Sequence, residues 1–92
     1  MSDVPPWRVD GRSLVREWRF RDFEGALGFV ETLGTEAVDY LRRPDMCIDE
    51  FNHVRIKITN PHHGDLTRAE ERLAAKVDAV IERHHPDAVL SW

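Results

Sequence analysis

Several things are scarce in this chain, and each scarcity excludes something. There is one cysteine, Cys47, so no disulfide forms within the chain and a reducing compartment suits it. No apolar run approaches the roughly 20 residues that a membrane-spanning helix needs. The opening residues, Met1-Ser2-Asp3-Val4-Pro5-Pro6, lack the basic run and apolar core of a secretory signal, so a cytoplasmic location is expected. Positive charge is in the minority. Thirteen Lys and Arg stand against 17 Asp and Glu, a formal net charge of -4, which argues against general nucleic-acid binding. No His-x-x-x-His or Cys-x-x-Cys spacing occurs, so no metal site is expected. No internal repeat is visible.

What remains is a soluble globular composition, 41% hydrophobic and 33% charged over 92 residues. One domain over residues 1–92 is expected, with 1–6 and 87–92 as tails. A chain this short buries about 60–65% of its unfolded surface, so self-association would add stability.

The hydrophobic pattern predicts two hairpins, each followed by a helix. Trp7-Arg8-Val9 reads as a strand, Asp10-Gly11 as a two-residue turn, and residues 12–20 as the returning strand. That turn sets Trp7 opposite Leu14. Leu14, Trp18 and Phe20 share one face, with Arg16 the exception, while Val15, Glu17 and Arg19 share a wet face. Asp22 is placed to cap a helix over 23–41, with a stripe of Phe23, Ala26, Leu27, Val30, Leu33, Ala37 and Leu41. Gly25, Gly28 and Gly34 read as close packing of this helix on a sheet. Pro44 ends the helical segment. Strands at 46–52 and 54–59 follow, joined by a turn at Asn52-His53 that sets Phe51 opposite Val54 and Glu50 opposite Arg55. Met46 and Ile48 are out of phase with Phe51, so a β-bulge is expected near Asp49. After a loop, Thr67-Arg68-Ala69-Glu70 has the form of a capping box. It starts a helix to about Arg83, with Ala69, Leu73, Val77, Val80 and Ile81 as its stripe. Val89, Leu90 and Trp92 form an apolar end suited to docking on a neighbour. The fold class is therefore α+β: a four-stranded antiparallel sheet in the order β-β-α-β-β-α, with two long helices on one face. The other sheet face is expected to be polar, with Glu17, Arg19, Arg55 and Lys57.

Together these segments resemble the pterin-4a-carbinolamine dehydratase, or dimerisation-cofactor, family. The resemblance spans nearly the whole chain. It rests on Trp7, Leu14-Val15-Arg16-Glu17-Trp18-Arg19-Phe20-Arg21-Asp22-Phe23, Ala26, Phe29 and Pro44-Asp45. It continues in Phe51-Asn52-His53-Val54, Ile58-Thr59, Gly64-Asp65-Leu66-Thr67, Leu73-Ala74 and Val77-Asp78. It implies an antiparallel sheet with helices on one face, assembled as a homodimer or tetramer, with no cofactor. It also implies acid–base removal of the 4a-hydroxyl of a hydroxylated tetrahydropterin by histidines in a His-His-Pro and a Thr-His motif. Here the first motif reads Arg42-Arg43-Pro44, and the second histidine position, counted back from Leu66-Thr67, falls on Pro61. Arginine does not shuttle protons near neutral pH, and proline has no proton to give.

His62 and His63 lie one and two residues past that position and are the candidates for a rearranged acid or base. His84-His85-Pro86-Asp87 copies the missing motif, but after the last helix, where cationic side chains suit the helix dipole. Cys47 has no evident activating partner and reads as a buried apolar residue. The resemblance extends to a branch without the enzyme's histidines that assists Rubisco assembly in α-carboxysome bacteria. On that reading the chain is a non-catalytic assembly factor or chaperone, associated with carboxysomes, whose client is the Rubisco large subunit. Arg42, Arg43, Arg55, Lys57, His62 and His63 would then bind the partner. The rival reading is a 4a-hydroxytetrahydropterin dehydratase using His62 or His63. A third is a dimerisation partner that uses Trp92 and the apolar end.

Overall fold

Period-two alternation in residues 13–19 and 53–59 builds the centre of the sheet. The computed structural model describes residues 7–36, 44–60, 66–84 and 89–90. The elements are β1 (Arg8–Asp10), β2 (Ser13–Arg19), α1 (Phe23–Glu36), β3 (Asp45–Asp49), β4 (His53–Thr59), α2 (Arg68–His84) and β5 (Val89–Leu90). The strands are ordered β1-β2-β4-β3, all antiparallel, and β5 also pairs with β2. β2 and β4 pair along their whole lengths, from Ser13↔Thr59 to Arg19↔His53. At one end the Ser13 and Thr59 hydroxyls share a hydrogen bond of 2.7 Å.

Both helices lie on one face of this sheet. The core joins Leu14, Trp18 and Phe20 to Val54, Ile56 and Ile58, and covers them with Ala26, Phe29 and Leu33 of α1 and Leu73, Ala74, Val77, Val80 and Ile81 of α2. The Trp18 ring meets Phe29 edge-on at 5.1 Å and Trp7 edge-on at 6.1 Å. The α+β architecture is the one expected, with β5 added.

The helix caps follow their sequence signals. Asp22 Oδ1 accepts the Gly25 amide at 2.8 Å, one of the donors that the first turn of α1 leaves unpaired. At α2, Glu70 Oε1 accepts from the Thr67 amide at 2.6 Å and the Thr67 hydroxyl at 2.7 Å, and Thr67 Oγ1 accepts from the Ala69 amide at 3.2 Å. Glu70 is fully buried, so the box is part of the packed end of the helix.

The structure differs from the sequence reading at several points. In the first hairpin Val9 pairs with Leu14 and Asp10 with Ser13, which leaves Gly11-Arg12 as the turn. Glycine is the residue that takes φ +63 there without a Cβ clash. Trp7 therefore sits beside Arg16 in register, not opposite Leu14. Val15, expected on the wet face, is buried. Its register neighbours are Arg8 and Lys57, whose aliphatic stems suit covering an apolar residue. In α1 the buried stripe is Ala26, Phe29 and Leu33, whereas Phe23 and Leu27 are exposed. Of the expected close-packed glycines, Gly25 is one: a Cβ there would meet Asp22 Oδ1 at 3.2 Å, whereas one at Gly34 would meet nothing within 4 Å. The expected continuation of α1 through Ala37 and Leu41 lies outside the described residues. Residues 89–90 pair with the chain's own β2.

The second hairpin needs no bulge. Asp49 pairs with His53, Ile48 with Val54, Cys47 with Arg55 and Met46 with Ile56. The turn is thus Glu50-Phe51-Asn52, and its extra residue restores the phase. Phe51 is exposed at the turn, and Glu50 faces Arg19, at 3.3 Å, in place of Arg55. Glu50 and Phe51 both adopt the left-handed conformation, at φ 50 and φ 60. Asn52, which would suit it better, is buried instead. It donates its side-chain amide to Phe20 O at 2.7 Å and accepts Arg19 Nη1 at 2.9 Å. Phe51→Gly removes a left-handed Cβ and little buried area. Even after the added chain entropy, it is expected to raise stability by about 0.5 kcal/mol, read as a higher denaturant midpoint at unchanged slope.

Candidate functional site

The two faces of the sheet offer different chemistry. On the open face, register aligns three rows of side chains across the strands. Arg8, Val15, Lys57 and Asp45 form one; Glu17, Arg55 and Cys47 the next; Arg19, His53 and Asp49 the third. Glu17 accepts from Arg8 at 3.1 Å and from His53 Nε2 at 2.8 Å. Nδ1 of His53 lies 3.8 Å from Asp49 Oδ2. The Glu17 bond places a proton on Nε2 and orients the ring between two carboxylates. Cys47 Sγ donates to Asp49 Oδ1 at 3.4 Å, and the thiol is half-buried on the edge strand. Arg55 and Lys57 are exposed and make no ion pair among the described residues. They are the accessible cations of β4, suited to an anionic group or an acidic protein surface.

The helix-covered face contains the other charged cluster. Arg16 points inward among apolar neighbours, with its guanidinium carbon 4.6 Å from the Trp18 ring centre. Nη1 of Arg16 donates to Asp78 Oδ1 of α2. The Trp7 indole donates to the same carboxylate, at 3.0 and 3.1 Å. Burial pushes the Asp78 carboxyl above its ordinary range. Arg16 and the Trp7 and Arg16 hydrogen bonds pull it down, less strongly, and Glu82 adds to the upward push. Asp78 also lines an apolar cleft of about 510 Å³ with Trp7, Val9, Leu14, Glu71, Ala74 and Ala75.

Of the residues proposed from sequence to bind a partner, Arg55 and Lys57 stand two apart on β4 on the open face. Arg42, Arg43, His62 and His63 lie outside the described residues, as do His85-Pro86-Asp87. Among the described residues no group of three or more His, Cys, Asp and Glu side chains is placed to hold a metal ion. Sequence reasoning missed the His53–Glu17 pair, because a turn at Asn52-His53 removed His53 from the strand. It also missed Asp78. The signal was there in Arg16, a lone cation on an apolar face that requires a buried acceptor.

Comparison with known proteins places this geometry. The sequence model of the family described as Pterin 4 alpha carbinolamine dehydratase matches residues 1–80. A protein of Chloroflexus aurantiacus is 31% identical over 81 residues, covering 88% of this chain and 86% of its own length. One of Thermomicrobium roseum is 30% identical over 77 residues, 84% of this chain and 82% of its own. One of Metallosphaera sedula is 29% identical over 79 residues, 86% and 81%. All three bear the name pterin-4-alpha-carbinolamine dehydratase as a provisional assignment. The match runs through both hairpins, α1 and most of α2, and the chain belongs to the pterin-4a-carbinolamine dehydratase family.

Proposed function

We propose that this chain is a binding module on the dehydratase fold, an assembly factor for a protein client, and not an efficient dehydratase. The observation behind this reading is the substitution pattern: Arg42-Arg43-Pro44 and Pro61 stand where the family resemblance puts histidines. Neither arginine nor proline moves a proton near neutral pH. The same changes add two cations to a chain that already presents Arg55 and Lys57 on an exposed strand face. An acidic client surface fits that chemistry, and the Rubisco large subunit is the client that the family resemblance suggests.

A second reading has a specific observation behind it. His62-His63 directly follows Pro61, and the relatives' names are those of dehydratases. One imidazole in general acid–base catalysis supplies about 10²–10⁴-fold. The test is dehydration of a 4a-hydroxytetrahydropterin by the purified protein. The binding reading expects a rate within about tenfold of background, unchanged in His62→Ala and His63→Ala. A rate 10²-fold or more above background that falls in either variant would establish the dehydratase reading instead. For the client, co-expressed Rubisco large subunit is expected to co-purify with wild type and to be lost with Arg42→Glu/Arg43→Glu or Arg55→Glu/Lys57→Glu.

A further inference from the structure

We propose that the outer edge of β2 at Trp18 and Arg19 is a strand-docking site, filled in cis by residues 89–90 and able to take the same segment from a second copy of this chain. The two edges of β2 are unequal. The inner edge is covered by β4 along all seven residues. The outer edge is covered at Ser13, Leu14 and Val15 by β1 and at Trp18 and Arg19 by β5. Between them Arg16 and Glu17 have no strand partner on that side among the described residues. An edge of this kind presents unpaired backbone donors and acceptors and is a template for a further strand.

Three observations point to a docked and exchangeable strand. The family match ends at residue 80, so β5 lies beyond the matched residues, and the four longer strands already cover the helices without it. β5 is two residues long, a ladder too short to hold tightly by itself. The receiving edge is held by contacts that do not involve its occupant. The Trp18 ring is held between Trp7 and Phe29, Arg19 is bonded to Asn52 and Glu50, and the Phe20 amide donates to Asn52 O at 2.8 Å. The occupant is set by what occupies the edge here. Val and Leu favour extended pairing, and the same segment of another copy meets the same register, Trp18↔Leu90 and Arg19↔Val89. The segment belongs to the same chain, four residues after the end of α2, so the cis form wins through effective concentration.

The test uses the full-length protein with Val89→Pro/Leu90→Pro, in which the tail can no longer donate to the ladder. The probe is a fluorescein-labelled peptide of residues 86–92. It is expected to bind the variant at least about tenfold more tightly than wild type, because the cis segment no longer competes. A scrambled peptide of the same composition is expected not to bind. Equal affinity for the two proteins, no binding to the variant, or equal binding of the scrambled peptide would overturn the proposal. Val89→Gly/Leu90→Gly gives the same comparison without removing a donor and covers a folding defect of the proline variant. Its expected gain is about fivefold, from lower strand propensity.

Discussion

Phe29→Ala is expected to destabilise the chain by about 3–5 kcal/mol, a large part of the roughly 5–15 kcal/mol that holds a small domain together. Phe29 is fully buried on the face of α1 that packs into the core. Its ring centre lies 5.1 Å from that of Trp18 and 5.3 Å from that of Phe20. Truncation removes both aromatic contacts and opens a cavity that two rigid rings cannot collapse into. Phe29→Leu keeps most of the volume and is expected to lose about 1.5 kcal/mol or less. Urea unfolding of the two variants against wild type tests this. A loss below about 1 kcal/mol for the alanine variant would show that the site relaxes and that the ring is not central to the core.

The second large effect is at Asp78, and the two obvious substitutions should differ. Asp78→Ala leaves the Arg16 guanidinium, 13% exposed, and the Trp7 indole without their common acceptor. A loss of about 3 kcal/mol is expected. Asp78→Asn keeps an acceptor oxygen and gives up a charge that burial already disfavours, so about 1 kcal/mol or less is expected. The pH dependence separates acceptor from charge. The folded carboxyl is raised above its ordinary 3.8, so it binds its proton at a higher pH than the unfolded chain does. Between 3.8 and the raised folded value the native state therefore holds more protons, and this group's contribution falls as pH rises through that window. Asp78→Asn abolishes that slope. Subtracting its stability from that of wild type should give a difference that declines from about pH 4 upward and then levels off. A difference that rises with pH would mean that Arg16, and not burial, dominates the carboxyl.

The sheet, both helices and both caps were legible because their signals are local. Alternation in Val54, Ile56 and Ile58, and the spacing of Leu73, Val77, Val80 and Ile81, need no tertiary information. The register errors came from turns. Asp10-Gly11 and Asn52-His53 are good turn pairs by propensity, but Asp10 joins the strand and Asn52 is taken by Phe20 and Arg19. Strand pairing with Ser13 moved the first turn by one residue, and the hydrogen bonds of Asn52 accompany the shift of the second. Phe29 and Val15 were misread because burial depends on what lies across from a residue as well as on its period. Of the candidate site, Arg55 and Lys57 followed from alternation alone. Asp78 did not, because its partners lie 62 and 71 residues earlier in the chain.

That last separation bears on how the chain folds as it is synthesised. Trp7 is among the first described residues to leave the ribosome, and the carboxylate that accepts the hydrogen bond of its indole N–H follows 71 residues later. Until then Arg16 and Trp7 have a sheet to sit on but no acceptor. The first hairpin and α1 must wait with an unneutralised cation on the surface they are to bury. Emergence of α2 ends that wait, and release of the first strand into its final position becomes a late, non-local step. A nascent chain stopped before Asp78 should accordingly leave Trp7 open to solvent quenchers, and one extended past the end of α2 should not.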